Sequence, residues 1–170
     1  MQKIGVFIGR FQPFHLGHQS VVYEIIADGL KPVIVIGSAN APKSSRNPYS
    51  VAERRQMIEE SFGHEFITIL ELNDYQEDAD WIHKLKENLP ENTGVTVYFH
   101  RKPSDLIYGV HPLDFLRSYF EVKIATYPTH LGIHISSTDI RSDIEKHKHY
   151  VHPHIYLGLK KLHLQKTQKW

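Results

Sequence analysis

Short apolar, β-branched runs alternate with segments of helical periodicity along almost the whole chain. A sequence built in that rhythm buries its strands in a parallel sheet covered by helices. The first run is "KIGVFIG" at 3–9. Leu16, Val21, Val22, Ile25 and Ile26 then recur near helical spacing within 15–30, and Gly29 is placed to stop that helix. Pro32 opens "VIVIG", a second buried strand. Ser50 with Glu53 makes a capping-box pattern before "VAERRQMIEESF", a helix. Further strands are expected at 65–72, 94–100 and 121–127, and helices at 78–89, 136–147 and 152–164, with a loop and short helix ending near Tyr119. The expected class is therefore α/β: a central parallel five-stranded sheet flanked by helices and joined by right-handed crossovers. The 170 residues fit one domain with a real core, and show no internal repeat, low-complexity tract or linker.

In such sheets ligands bind at the carboxyl ends of strands. That is where "GRFQPFHLGH" lies, residues 9–18. Packing alone does not call for its mixture of glycine, arginine, aromatics, proline and two histidines. His15 and His18, three residues apart, share one face of a first helical turn. The open amides and dipole of that turn favour an anion. Gly17 between them removes a side chain, so a phosphate can approach the backbone. Two donating imidazoles would stabilise charge developing in phosphoryl transfer. The stretch is neither G-x-G-x-x-G nor a Walker loop. A pair of capping or surface histidines is the plainer alternative.

Composition removes several function classes. A net charge of +1 implies no field for nucleic acid, and no apolar run is long enough to span a bilayer. With no cysteine, disulfides and thiolate chemistry are excluded. The opening "MQKIGVFIGR" runs straight into a strand pattern without a signal-peptide layout, so a cytoplasmic protein is expected.

Two stretches together carry a family resemblance. "GRFQPFHLGH" resembles the first signature of the H-x-G-H nucleotidyltransferases, and "ISSTDIR" at 135–141 resembles their second. With "IGSAN" (36–40) and "RNPYSVAERRQMI" (46–58), the chain is similar to nicotinamide mononucleotide (NMN) adenylyltransferases. The type is the archaeal one, or the adenylyltransferase half of bacterial bifunctional proteins that carry a Nudix domain. The resemblance implies a Rossmann-like nucleotidyltransferase fold in a single domain over 1–170, with a C-terminal helical segment at about 136–164 and no room for a Nudix domain. It implies adenylyl transfer from ATP to NMN, giving NAD and pyrophosphate, with Mg2+ held mainly by ATP phosphates and water. No dedicated metal site in the protein is expected. The family is often oligomeric, so a homo-oligomer fits, with no nucleic-acid or membrane partner.

Carried over residue by residue, the resemblance puts Gly9, Arg10 and Phe11 against ATP and makes His15, His18 and Arg141 the catalytic donors. Ser136, Ser137 and Thr138 would offer hydroxyls and amides to the same phosphates, or simply cap the helix. Gly37, Ser38, Arg46, Asp78 and Trp81 fall on the NMN side. Arg46 is a phosphate contact or a solvated loop arginine. Trp81 is a platform for the cationic nicotinamide ring, or core on an amphipathic helix with Ile82 and Leu85. At "FHRKPSDLIYGVHP" (99–112) the chain departs from the family: His100 and Lys102 fit its glycine-histidine and Lys-Asp pattern loosely, but Pro103 is inserted before Ser104-Asp105, so Lys102 and Asp105 are assigned no role. Among thirteen histidines, those of "KHKHYVHPH" (146–154) are surface groups or metal ligands. Two enzyme alternatives share the motifs: a transferase acting on phosphopantetheine, FMN or a cytidylyl substrate, and a fragment of a class I aminoacyl-tRNA synthetase. The latter sits poorly with the neutral charge, the short chain and the lack of a Lys-rich second signature. A non-catalytic nucleotide sensor is the alternative from outside enzymology.

Overall fold

The computed structural model describes residues 1–63, 67–100, 113–125 and 135–167, with side chains as far as residue 161. Five strands form the sheet: β1 (Gln2–Gly9), β2 (Lys31–Ile36), β3 (Thr68–Glu71), β4 (Thr93–Phe99) and β5 (Glu121–Ile124). The helices are α1 (Leu16–Ala27), α2 (Val51–Phe62), α3 (Asp78–Asn88), α4 (Ser137–Ser142) and α5 (Pro153–Thr167), with 3-10 turns at Asp114–Ser118 and Lys148–Tyr150. The strand order is β3-β2-β1-β4-β5 and every pair is parallel, as the alternating pattern requires. The chain winds outward from β1 through β2 to β3, then crosses over to β4. The order therefore reverses between β1 and β4, and their carboxyl ends flank the switch-point crevice.

Period-two alternation sorts the core. Ile4, Val6 and Ile8 of β1, with Val33 and Val35 of β2, pack on Ile82 and Leu85 of α3 and on Leu116. Phe7, Ile34 and Ile36 point the other way, onto Val21, Val22 and Ile25 of α1, Ile58 of α2 and Ile155 of α5. Gly5 lets α1 close on the sheet, because a Cβ there would lie 2.4 Å from the Ile25 side chain.

The far end of α1 is tied down electrostatically. Asp28 accepts hydrogen bonds from Lys123 of β5 and Tyr98 of β4. These partners, Lys123 first, hold its carboxyl below the ordinary range. A depressed carboxylate contributes stability above its unfolded pKa and loses it as pH falls through the folded one. Asp28→Asn should thus melt at a lower temperature than the parent at pH 7, with the two melting temperatures converging in acid.

One helix ends early. The expected helix 136–147 stops at Ser142: Asp143 takes an extended conformation (φ −152°, ψ 94°), and its Oδ1 accepts the Lys146 N–H. The side chain offers the backbone a turn in place of a further helical bond. α3 ends at Asn88 and α5 runs from Pro153 to Thr167, both close to expectation. The outer parts of the strands expected at 65–72 and 121–127 fall partly outside the described residues, as do Lys102 and Asp105 entirely.

Candidate active site

A cavity of about 460 Å³ opens at the carboxyl ends of β1 and β4. Gly9, Arg10, Phe11, His15 and His18 contribute from the first signature, and Ser136, Ser137, Thr138 and Arg141 from the second. Gly37 and Ser38 after β2, with Asp78 and Trp81 of α3, line it as well. Of the residues expected in the site, Arg46 alone lies outside the lining.

The two histidines build the start of α1 themselves. His15 is the N-cap, in extended conformation, and its Nδ1 accepts the Gly17 N–H at 3.1 Å. Three residues on, His18 Nδ1 accepts the His15 N–H at 3.3 Å. This is a capping box in which imidazoles replace the usual Ser and Glu. Both rings are buried, at 3% and 8% exposure, and they stack with centroids 3.6 Å apart. A ring nitrogen that accepts carries no hydrogen, so each neutral ring bears its proton on Nε2 and donates from that side. Phe11 sets the angle of His18, meeting its ring edge-on at 5.0 Å and 88°. The Phe11 ring also lies where a Cβ on Gly9 would be, at 2.7 Å. It lines the cavity but belongs to the core under the histidines.

The second signature is docked on the first. Ser136 caps α4 through the Asp139 N–H, with Asp139 bonding back to it. Ser137 Oγ donates to the Pro13 carbonyl at 3.0 Å. Arg141 donates from Nη1 to the Gln12 carbonyl at 2.6 Å and from Nη2 to Thr138 Oγ1 at 3.3 Å. Burial, then the charge of Arg46, holds the Arg10 guanidinium below its ordinary range, and Arg141 adds to this. Arg141 itself is lowered by burial first and by Arg46. Like charges this close, offset in part by Asp74 beside Arg10, make a place that a polyanion would relieve. Arg46 stands near both cations from outside the cavity lining.

The lining is also aromatic and acidic. Trp81 is half-buried and meets Phe115 edge to face at 5.8 Å. Asp78 lies one turn earlier, and Asp74 accepts from Ser38 Oγ at 2.9 Å while its N–H reaches Asn40 Oδ1 at 2.8 Å.

Asp74, Gln12 and Arg54 escape a reading of the sequence, and His100 is legible there only as a loose fit to the family pattern. Asp74 and His100 line the cavity, His100 at the carboxyl end of β4 with its ring 6.2 Å from that of His18. Its place at the end of a switch-point strand was the available signal. Gln12, also in the lining, clamps both backbone groups of Tyr49 at 2.9 Å each. Arg54 is buried beneath two of the loops. Among the described residues no three His, Asp or Glu side chains gather as a cation site; in the C-terminal cluster His152 stacks on His154 at 5.4 Å. No helix among them is long and apolar enough to cross a membrane.

Known proteins are similar to this chain in sequence and fold. A nicotinamide-nucleotide adenylyltransferase of Methanolobus tindarius is 35% identical over 109 residues, 63% of this chain and 56% of that protein. A second, from Methanosphaerula palustris, is 32% identical over 121 residues, 70% of this chain and 64% of that protein. The chain thus spans between half and two thirds of these relatives' lengths. Among solved structures, a bifunctional NMN adenylyltransferase/ADP ribose pyrophosphatase from Francisella tularensis superposes with a TM-score of 0.72 at 27% identity, over 95% of this chain and 49% of that one. The cytidylyltransferase-like family model matches residues 6–143, a stretch running from β1 through both signature segments to the end of α4. With the fold, the switch-point cavity and both signatures inside that match, the chain belongs to the cytidylyltransferase-like family.

Proposed function

We propose that this chain transfers the adenylyl group of ATP to NMN, giving NAD and pyrophosphate, within one nucleotidyltransferase domain. One observation carries the reading: a single cavity is lined both by a set of donors and cations and by an aromatic, acidic set. His15, His18, Arg10 and Arg141 offer hydrogen-bond donors and positive charge to a triphosphate. Trp81 and Phe115, with Asp74 and Asp78 nearby, suit a flat cationic ring. The names of the archaeal relatives support the same pair of substrates.

In the reaction, an NMN phosphate oxygen forms a bond to the α-phosphorus of ATP. The bond from that phosphorus to the oxygen bridging to the β-phosphorus breaks, and pyrophosphate leaves with the bonding electrons. Catalysis by this chain is positioning and charge stabilisation. The Nε2–H groups of His15 and His18 and the guanidinium of Arg141 would hold the phosphates as charge moves onto the leaving group. Arg10 and Arg46 would draw the polyanion in. Mg2+ would enter with the substrate as MgATP, held mainly by the ATP phosphates and water.

The test is pyrophosphate release from MgATP with NMN, nicotinic acid mononucleotide, phosphopantetheine or FMN as acceptor. NMN-dependent release with an equal amount of NAD is expected. Release only with another acceptor overturns the substrate, and ATP binding without release under any acceptor favours a sensor. Trp81→Ala should raise the KM for NMN by about 3- to 30-fold, the range of a cation–π contact, and leave the KM for ATP in place. An unchanged KM for NMN would make Trp81 simply a core residue.

A further inference from the structure

Arg54 is 1% exposed, yet no carboxylate lies within ion-pair distance of it among the described residues. Its fork is spent on backbone carbonyls. Nη1 donates to Arg10 O at 2.9 Å and to Gly37 O at 2.8 Å, Nη2 to Ser38 O at 3.1 Å, and Nε to Ser50 O at 3.3 Å. These carbonyls are not arbitrary. Arg10 O is the peptide oxygen just before Phe11, and Gly37 O and Ser38 O bracket Ser38. Phe11 (φ +50°) and Ser38 (φ +49°) both adopt the left-handed backbone, which non-glycine residues take only when held there. Between them runs one further tie, Gly37 N–H to Gly9 O at 2.9 Å. A single buried side chain thus pins two strained turns, one under the histidines and one beside Asp74.

We propose that Arg54 is a positioning residue that fixes the separation of the phosphate-side loop at 9–11 from the acceptor-side loop at 37–38, through its three-carbonyl fork. This rests on the reading of the cavity as a site for two substrates. Only a guanidinium supplies several donors in one fixed plane, and lysine keeps the charge but loses the fork. An in-line displacement is sensitive to the distance between its partners, and a misplacement of about 1 Å costs about 10²-fold.

Arg54→Lys is therefore expected to lower kcat by about 10²-fold with the KM values for ATP and NMN each within about threefold of the parent. Amide exchange in the free protein should quicken in both segments, 9–12 and 37–41, while the sheet interior stays protected. Two results overturn the proposal: a kcat within about threefold of the parent, or exchange that quickens in one segment or neither. A parent protein that releases no pyrophosphate with NMN sinks the substrate reading, and the exchange result then decides Arg54 alone. If the variant does not fold, NMR of the parent decides. Separate, slowly exchanging Nη–H signals for Arg54 are expected, and averaged signals from a freely rotating guanidinium would refute the fork.

Discussion

His18→Ala should lower the turnover number of NMN-dependent pyrophosphate release by about 10²- to 10³-fold and move the KM for NMN little. The geometry sets that expectation. His18 Nδ1 is committed to the His15 N–H, so the ring's donating side is Nε2, and the ring lines the cavity. Phe11 and Phe14 fix its tilt at centroid distances of 5.0 and 5.4 Å, and His15 stacks on its face. A donor held this rigidly costs no reorganisation when charge develops, which is the source of its leverage. The substitution also strips the N-cap backbone of its acceptor, at about 1 kcal/mol, and empties space among aromatic rings. His18→Asn separates the two effects. Its amide oxygen can accept the His15 N–H, but its nitrogen does not reach the Nε2 position. The Asn variant should melt above the Ala variant and turn over as slowly. A fast Asn variant would reduce His18 to a capping residue.

The fold was legible because its cause is local. Val33-Ile34-Val35-Ile36 and Ile4-Gly5-Val6-Phe7-Ile8 are buried on both faces, so only helices on both sides of a parallel sheet satisfy them. The Ser50–Glu53 capping box was equally readable, and both halves of it form. The helix after Ser136 was overextended because Asp143 reads as an ordinary helix surface residue until its side chain is seen capturing the Lys146 amide.

At the site, the residues legible in advance were those whose chemistry sits in a short motif. His15 and His18 announce themselves by spacing and Arg141 by the resemblance of its segment, and the cavity brings all three together. Arg54 could not be found that way. In "VAERRQMIEE" it is one of two adjacent arginines on a charged helix, and nothing local marks it as the buried one. Arg55 instead pairs with Glu71 at 2.8 Å. What distinguishes Arg54 is three carbonyls from residues 16 to 44 positions away, brought to it only by folding. Gln12 is hidden for the same reason, since its partner Tyr49 is 37 residues distant. Arg46 shows the converse: a motif residue that folding leaves outside the cavity wall, near Arg10 and Arg141.

Arg141→Lys should lower kcat/KM for ATP by about 10- to 100-fold, the worth of charge-assisted hydrogen bonds lost at a planar donor. The KM for NMN should change far less. Arg141 does two jobs that the substitution separates. Through Gln12 O it fastens α4 to the first signature, and its charge lies near those of Arg10 and Arg46. Lysine keeps the charge but has no fork to serve a carbonyl and a phosphate at once. Because Arg10 and Arg141 line the cavity and Arg46 stands near both, ATP affinity in the parent should weaken with added salt. Arg141→Ala, which removes one of those charges, should flatten that salt dependence, whereas Arg141→Lys should preserve it. A Lys variant with a lowered melting temperature but kcat/KM for ATP within about threefold of the parent would leave Arg141 as a tie between the two signatures and nothing more.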